Sequence, residues 1–537
     1  MTMPYVNSVQ TSTAAGNNFQ GLRRDPFGNV NFFWDMRNMT GNDAPIIRTR
    51  DKRHKVRTIS NCNGIFGREK IGWVDGKVLW YDGQQIGNLK TADEKTFVHM
   101  GAYTVIFPDK MLFHTVDKTL VSMENVVTCN SVTYTACDIL GEDADVASAI
   151  YVRIEGTGVG AGFKSKDVVE ISGSVQDALN GTLQIQLVMN DDTIVVLSTM
   201  DQSAATSQKT KLTISRTVPD MDFVTESENR IWGCSSANHE IYACKLGDPT
   251  NWHNYQGLAD DAYAVTVGST GNFTGAVTHL GYVYFFKEHM HHKLFGNKPA
   301  NYQLTSTNVR GVERGSEKSL CILNETLYYH SAEGMCLSNG ALPQAIDEAL
   351  GRVKYKNVKC GAAKGKLWAA MERAAGGHEV LVYDDDTGIW HKEDDAQVLA
   401  FAQAENELYM VTKDGAMWCM TGEGSASLRD SSAQQEGAIE YAVETGDLQM
   451  ADLYRKRLQK IHLRLTLDAD STCDVLVQYD GGEWKKLYAM ESGKDLKSKA
   501  IPFVPRRCDR MRIRLQGKGM MRLYNINTIT TGGSDIG

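Results

Sequence analysis

The sequence predicts an all-β protein built on a β-propeller. Runs of strand length are rich in Val, Ile, Tyr and Trp and are separated by Asp-Gly, Asn-Gly and Gly-Gly turns, which is the pattern of consecutive antiparallel strands. One typical unit spans Lys366 to Asp395, where Gly376-Gly377 joins two apolar runs and an Asp/Gly turn leads to Trp390. Such units recur roughly every 40 to 55 residues, which is the spacing of propeller blades.

The composition indicates a folded chain with an ample core. Of its 537 residues, 42% are hydrophobic and 23% are charged, as in ordinary globular proteins. We find neither an apolar run of about 18 residues nor a signal-peptide pattern after Met1, so we expect no membrane anchor and no cleaved leader. The eleven cysteines form no CxxC pair and are expected to be reduced and buried.

Residues 1–58 are predicted to form a basic arm that ends in a first strand. Nine Lys and Arg residues lie between Arg23 and Arg57, and Phe32, Phe33 and Trp34 lie among them. Two interpretations stay open. The segment is either a solvated arm that ends in an edge strand, or a contact arm for a neighbouring subunit or a phosphate backbone.

The aromatic strand-and-turn pattern occupies residues 59–127 and returns in residues 219–436. We interpret these segments as two parts of one propeller with about five to seven blades. Between them, in residues 128–218, tryptophan disappears and short strands rich in Thr, Ser and Gly follow one another. This change predicts a small β-barrel or sandwich domain inserted in a loop of the propeller.

Residues 437–537 are predicted to form a C-terminal β-sandwich, because their strands alternate strictly between apolar and polar residues. This segment is basic, with 17 Lys and Arg against nine Asp and Glu between Asp452 and Arg522, although the whole chain has a net charge of −8. Its basic residues define a candidate subunit-interface or DNA-channel face, which comprises Arg455, Arg457, Lys460, Arg464, Arg510, Arg512 and Arg514.

The last three of these residues alternate along one strand and therefore share a face. Such a face could meet an acidic neighbour in a ring, phosphates of passing DNA, or solvent alone. The sequence favours the acidic neighbour. The rest of the chain supplies acidic surface with which such a face could pair.

Two features could indicate an enzyme, but neither is specific. His289 and His291 would share one face of a strand while His292 points away, and no companion ligands follow at defined spacing. The acidic runs 384–386 and 393–395 could supply a glycosidase carboxylate pair, but both flank predicted turns, where Asp caps backbone groups. We therefore expect no catalytic, metal or cofactor site, and a protein that is not an enzyme.

Several segments, taken in order, resemble the tail hub or nozzle proteins of short-tailed bacteriophages, which are also described as packaged-DNA stabilisation proteins. The resemblance rests on the charged C-terminal strands and on the segments Asn229–Trp252, Val283–Lys287, Tyr328–Gly334 and Leu381–Trp390. It implies a propeller with appended β domains that assembles as a ring, commonly a hexamer, beneath a portal and adaptor.

The resemblance further implies a structural protein of the virion tail, assembled in the cytoplasm of a bacterial host. The ring would continue the DNA channel, retain packaged DNA through transient non-specific contact, and dock tail fibres, a spike or a needle. Two other classes stay open. One is a propeller carbohydrate-active enzyme or glycan-binding receptor protein, with carboxylates and aromatics converging at one mouth, and the other is a cellular propeller scaffold.

Overall fold

The computed structural model describes residues 11–448 and 455–532, which consist almost entirely of strands and turns. The helices among these residues are single 3-10 turns at Asp177–Leu179, Pro299–Asn301, Glu317–Ser319, Glu348–Leu350 and Ala426–Leu428. None of these helices has the length and apolar character that crossing a bilayer requires. The prediction of an all-β protein is confirmed.

The strands are numbered in chain order. The chain begins with β1 (Thr11–Gly16), β2 (Phe27–Gly28), β3 (Asp35–Arg37), β4 (Met39–Thr40), β5 (Ile47–Thr49) and β6 (His54–Thr58). The first blade has β7 (Cys62–Gly67), β8 (Ile71–Asp75), β9 (Val78–Tyr81) and β10 (Gln84–Asn88). The second has β11 (Thr96–Met100), β12 (Tyr103–Phe107), β13 (Met111–His114) and β14 (Thr119–Ser122).

An inserted domain and two further blades follow. The inserted domain has β15 (Asn125–Cys129), β16 (Val132–Cys137), β17 (Tyr151–Glu155), β18 (Val168–Ser172), β19 (Gly181–Asn190), β20 (Thr193–Leu197), β21 (Ser207–Gln208) and β22 (Leu212–Arg216). The third blade has β23 (Phe223–Ser227), β24 (Arg230–Ser235), β25 (Glu240–Ala243) and β26 (Tyr263–Thr266). The fourth has β27 (Gly275–His279), β28 (Tyr282–Lys287), β29 (Met290–Phe295) and β30 (Gln303–Asn308).

Three blades and the C-terminal strands complete the chain. The fifth blade has β31 (Cys321–Leu323), β32 (Thr326–Ser331), β33 (Gly334–Ser338) and β34 (Gln344–Ala345). The sixth has β35 (Tyr355–Ala363), β36 (Lys366–Arg373), β37 (His378–Asp384) and β38 (Ile389–Asp394), and the seventh has β39 (Val398–Ala404), β40 (Glu407–Thr412) and β41 (Ala416–Cys419). The last strands are β42 (Gln434–Gln435), β43 (Glu440–Glu444), β44 (Asp447–Leu448), β45 (Lys456–Tyr479), β46 (Lys485–Ala500), β47 (Arg507–Cys508), β48 (Met511–Lys518) and β49 (Met521–Gly532).

Seven consecutive antiparallel sheets form the blades of a β-propeller, which confirms the predicted propeller fold. The sixth blade shows how the sequence builds one. Leu367 and Leu381 are fully buried, and the turn between their strands uses Gly376 and Gly377 at φ of +99° and +94°. Both glycines adopt the left-handed region that tight turns require.

The seventh blade is closed by a strand from near the start of the chain. β6 pairs with β41, with Thr58 opposite Ala416. The fourth strand of the seventh blade is therefore supplied by residues that are far from the other three in sequence. Next to this blade, Gly67 of β7 lies so close to Gln403 of β39 that a Cβ atom would stand 1.9 Å from its carbonyl oxygen. Only glycine fits there without a shift of the backbone.

The chain divides into two compact units, one formed by residues 1–72 and 313–537 and the other by residues 73–312. In the second unit, the inserted domain is one eight-stranded antiparallel sheet between the second and third blades. Its first and last strands pair with each other, with Asn125 opposite Arg216. The domain therefore leaves and returns to the propeller at adjacent points.

In the first unit, the C-terminal strands form a curved half barrel with strands from the start of the chain. This twelve-stranded sheet follows the order β2-β44-β48-β45-β49-β5-β4, and β1, β3, β43, β46 and β47 attach to it. It differs from a sandwich made of residues 437–537 alone, because its apolar face packs on N-terminal residues such as Phe33 and on sixth-blade residues such as Trp390. The inward side chains of β45 are too apolar to remain exposed, and these neighbours cover them.

Two arginines of the N-terminal basic cluster, Arg50 and Arg53, are buried, whereas Arg23 and Arg37 are exposed. Arg53 binds Glu393, and it binds Asp394 at 2.5 Å, while Arg50 donates two hydrogen bonds to Glu436 at 2.7 and 2.8 Å. Burial opposes the charge on Arg53, but the neighbouring carboxylates, Asp394 first, outweigh it and raise its pKa. Arg50 and Arg53 therefore serve folding within the chain.

Glu379 of the sixth blade is the centre of a second buried ion cluster. Its carboxylate lies 2.6 Å from Arg24 and 3.2 Å from Lys392, and it accepts a hydrogen bond from Tyr355 at 2.6 Å. Burial alone would raise the pKa of this carboxyl, but the hydrogen bond from Arg373 and the charge of Arg24 outweigh burial and lower the pKa to about 2. The group is therefore ionised at neutral pH.

We predict that the Glu379 cluster makes stability depend on acid pH. A lowered folded-state pKa contributes stability above the unfolded value of about 4.3, and this contribution is lost as pH falls toward 2. Glu379→Gln should lower the free energy of unfolding at pH 7 by about 3–5 kcal/mol, because buried cations lose their partner. The variant should also show a flatter pH dependence between pH 5 and 2.

Urea unfolding at several pH values measures both effects. Glu423→Gln is the matched control, because the side chain of Glu423 is 75% exposed. An identical pH dependence for Glu379→Gln and the natural chain would contradict the prediction.

Candidate interaction surface on the C-terminal sheet

The C-terminal sheet is organised around one long strand. β45 runs for 24 residues and is bordered by β48 and β49 on one side and by β46 on the other. Leu463 and Leu465 are fully buried, whereas His462 and Arg464 are exposed. This period of two places polar residues of β45 on the outer face of the sheet.

Three of the predicted basic residues are neutralised within the chain. Arg512 donates to both oxygens of Asp447 at 2.9 and 3.1 Å and to Glu444 at 3.2 Å. Arg514 donates to Glu444 at 3.1 Å, and Arg510 lies 3.5 Å from Asp447. The hydrogen bonds to Asp447 hold the pKa of Arg512 above its usual value. The sequence assigned the acidic partner to a neighbouring subunit, but here it belongs to the same chain.

The other predicted basic residues lie at β45. Arg457, Lys460 and Arg464 are exposed on its outer face, and Arg455 is exposed just before it. None of the four forms an ion pair with a carboxylate in the part of the chain that the structure describes. We call Arg457, Lys460 and Arg464 the basic ridge. Its three positive charges remain available to a partner.

β46 leaves one edge of the sheet open. Within residues 11–448 and 455–532, it pairs with β45 alone, so main-chain N–H and C=O groups along its other side lack strand partners. Lys485 and Lys499 are exposed on this strand, and Leu496 is 56% exposed. We call this unpaired side of β46 the open edge.

Sequence reasoning did not single out the open edge. The available signal was a high density of lysines, at positions 485, 486, 494, 497 and 499. Whether a strand lies at an edge, however, depends on its pairing with strands that are distant in sequence. β48 and β49 pair with the side of β45 that faces away from β46, so β46 has β45 as its one neighbour in the described chain. No local pattern in the sequence of β46 predicts this arrangement.

The acidic runs considered for a glycosidase make internal ion pairs. Asp384 lies 3.0 Å from Lys366, and Glu393 and Asp394 both bind Arg53. Glu393 and Asp394 end β38 rather than standing in a solvated turn, and Glu393 is buried. These carboxylates are therefore held by cations of the same chain.

His291 and His292 of β29 point to opposite faces, as predicted, but His289 lies in the turn before this strand and therefore does not share a strand face with His291. His291 packs against the ring of Tyr284, with the ring centroids 5.2 Å apart. His292 is buried and forms hydrogen bonds with Ser269 and Ser306 at 2.9 and 2.7 Å, and burial lowers its pKa to about 4. Among the residues that the structure describes, no group of three or more His, Cys, Asp or Glu is arranged to hold a metal ion.

The innermost strands of the blades, β7, β11, β23, β27, β31, β35 and β39, carry a single carboxylate in the described chain. This residue is Glu226 of β23, and it accepts a hydrogen bond from the backbone amide of Asn229 at 2.8 Å. A glycosidase uses a pair of carboxyl groups about 5 Å or more apart. These strands do not supply such a pair.

No protein-family model and no curated protein matches the chain. Among solved structures, an exo-β-1,3-galactanase from Phanerochaete chrysosporium is 10% identical with a TM-score of 0.23, and the match covers 57% of this chain and 94% of that chain. Apo AztD from Citrobacter koseri is 9% identical with a TM-score of 0.32, over 87% and 99%. The endosialidase of phage phi92 is 12% identical with a TM-score of 0.15, over 81% and 64%.

These matches correct the expectation that the chain is not an enzyme. Glycoside hydrolases, including the galactanase and a GH43 enzyme with engineered xylanase activity, are among the solved structures that match it. The identity of about a tenth shows likeness of fold alone. It assigns neither a substrate nor a reaction to this chain.

We predict that the arginines that bind carboxylates of the same chain contribute more to the free energy of unfolding than the exposed residues of the basic ridge. Arg512→Ala should lower the free energy of unfolding by about 1–3 kcal/mol, because the carboxylates of Glu444 and Asp447 lose a charged hydrogen-bond donor. Arg464→Ala should change it by no more than about 0.5 kcal/mol, because its side chain is exposed and makes no ion pair in the described chain. Urea unfolding of both variants measures the difference, and an equal loss in the two would contradict it.

Proposed function

We propose that this chain is a subunit of the tail hub, or nozzle, of a short-tailed bacteriophage. Copies of the chain would form a ring, commonly a hexamer, that continues the DNA channel below the portal and adaptor. The ring would retain packaged DNA and dock tail fibres, a spike or a needle. Its location would be the virion tail, after assembly in the cytoplasm of the bacterial host.

The positions of the resembling segments support this proposal. Asn229–Trp252 contains the hairpin β24–β25 of the third blade, and Tyr328–Gly334 contains the turn between β32 and β33 of the fifth. Leu381–Trp390 contains the turn between β37 and β38 of the sixth. The resemblance therefore follows successive blades of the propeller.

The observation that carries the proposal is the open edge. An unpaired strand as long as the 16 residues of β46 is a ready template for another chain, and proteins that stay monomeric usually shorten or cover such edges. The lysines of β46 reduce pairing with a second basic edge, and they favour a partner surface that carries acidic residues. We therefore place the joint between neighbouring copies here.

A ring follows if this edge meets a different surface of the next copy. Such a head-to-tail contact repeats by rotation and closes into a ring when the rotation divides a full turn. The chain as a whole carries a net charge of −8, so acidic surface is available outside the basic C-terminal sheet. Function would then depend on the rigid shape of each subunit and on the charge of its edge.

We predict that charge reversal on the open edge weakens assembly. Lys485→Glu with Lys499→Glu should weaken association at least tenfold, or about 1.4 kcal/mol per contact, because two attractive charges become repulsive. Sedimentation velocity of the chain, alone and with a portal–adaptor complex, measures this. The natural chain should form closed oligomers in at least one of the two conditions.

The control is Lys209→Glu with Lys211→Glu, which makes the same charge change at exposed residues of the inserted domain. It should assemble like the natural chain. A natural chain that stays monomeric in both conditions would contradict the proposal, and so would an equal loss of assembly in the two variants.

A further inference from the structure

A tight turn of the inserted domain, just after β16, carries two apolar residues where the chain bends. The turn runs from Asp138 to Glu142, whose carbonyl oxygen accepts a hydrogen bond from the backbone amide of Asp138 at 2.8 Å. The carboxylate of Asp138 accepts hydrogen bonds from the amides of Leu140 and Glu142 at 2.8 and 3.0 Å. Gly141 adopts the left-handed region at φ of +91°. The turn is therefore fixed, and Ile139 and Leu140 lie at its tip.

Folding does not explain these two residues. Tight turns favour Gly, Asn, Asp, Ser and Pro, whereas Ile139 and Leu140 are aliphatic and exposed. Exposed hydrophobic residues that stand singly are common, but contiguous apolar patches on a surface mark interaction sites. The neighbours of the turn therefore decide whether the two residues belong to such a site.

Strands β19 and β20 extend the tip of the turn into a patch. Gly141 lies so close to these strands that a Cβ atom there would stand 2.8 Å from Sδ of Met189 and 3.2 Å from Cγ2 of Val195. Leu197 is two positions after Val195 in β20 and shares its face of the sheet. We call Ile139, Leu140, Met189 and Leu197 the apolar patch. Its four side chains are between 40% and 66% exposed.

Arg153 of β17 anchors the turn to the sheet. It donates a hydrogen bond to the carbonyl oxygen of Gly141 at 2.5 Å and binds Asp143 at 2.8 Å. The apolar patch is therefore held in place before a partner binds. A preorganised surface loses less conformational entropy on binding than a loose one.

Acidic residues lie beside the apolar patch. Asp138, Glu142 and Asp145 are exposed, and none of the three forms an ion pair in the described chain. The inserted domain, residues 128–218, carries eleven Asp and Glu against six Lys and Arg. Such a surface repels nucleic acid and anionic lipid, and it favours a protein partner that combines basic and aliphatic side chains.

The open edge of β46 has this combination. Lys485 and Lys499 are exposed on this strand, and neither forms an ion pair in the part of the chain that the structure describes. Leu496, an exposed aliphatic residue, lies between them in sequence. The two surfaces are complementary, because the lysines can meet the carboxylates while Leu496 packs on the apolar patch.

We propose that the apolar patch and its acidic residues bind the open edge of a second copy of this chain. The inference rests on the proposed function, and it names the surface that the open edge meets in the next copy. Such a contact joins two different surfaces, as a ring requires. Two open edges would repel each other, and so would two acidic patches, so opposite charge favours the head-to-tail pairing.

Sedimentation velocity tests the contact in the condition in which the natural chain forms closed oligomers. Leu140→Asn with Glu142→Lys should weaken association about tenfold or more, because an aliphatic contact is lost and an attractive charge becomes repulsive. Thermal unfolding should stay unchanged, since both side chains are exposed.

A charge exchange tests whether the two surfaces meet. Lys485→Glu with Lys499→Glu weakens association in the proposed ring. Adding Glu142→Lys to these two substitutions should strengthen it again by about threefold or more, since opposite charges then face each other. A patch that binds a different protein would give no such recovery.

The matched control is Leu342→Asn with Asp386→Lys. It makes the same kind of change at exposed residues, between β33 and β34 of the fifth blade and between β37 and β38 of the sixth. It should assemble like the natural chain. The inference is overturned if Leu140→Asn with Glu142→Lys assembles as well as the control, or if the charge exchange recovers nothing.

The same measurements separate this inference from the proposed function. A natural chain that assembles as a ring, together with a patch variant that assembles equally well, would remove this contact and leave the ring. A natural chain that stays monomeric, alone and with the portal–adaptor complex, would remove the ring and the contact with it.

Discussion

Buried ion pairs between the start of the chain and the sixth blade hold the first unit together. Arg24 reaches Glu379, and Arg53 reaches Glu393 and Asp394. A buried charge is tolerated only when its partner lies within hydrogen-bond distance, so these pairs specify where the N-terminal segment must lie. They fix β6 beside β41 in the seventh blade, and they hold the five strands β1, β2, β3, β4 and β5 in the half barrel. The half barrel in turn presents β45 and β46.

The same pairing decides which basic side chains remain available. The C-terminal sheet is rich in Lys and Arg, but Arg512 and Arg514 are used to bind Glu444 and Asp447. The basic ridge remains without an acidic partner in the described chain, and the open edge remains without a strand partner there. An unpaired strand edge is a template for pairing with another chain, and a row of charges without partners attracts a polyanion.

The sequence predicted the features that local patterns determine. The Gly376-Gly377 hairpin, the alternation of β45 and the change of composition in the inserted domain each depend on neighbouring residues. It did not predict the half barrel, because Ser12 and Thr530, which share a hydrogen bond, lie 518 positions apart. Nor did it predict that Arg53 is buried or Arg512 neutralised. The partners of a charge are set by long-range strand pairing, which periodicity does not contain.

The central claim is that copies of this chain join along the open edge, and amide hydrogen exchange tests it most directly. In dilute protein, amides on the unpaired side of β46 should exchange quickly, and assembly with the portal–adaptor complex should slow them. Amides of β33, inside the fifth blade, should exchange at the same rate in both states. Slower exchange in other strands, with β46 unchanged in the assembled particle, would contradict the account.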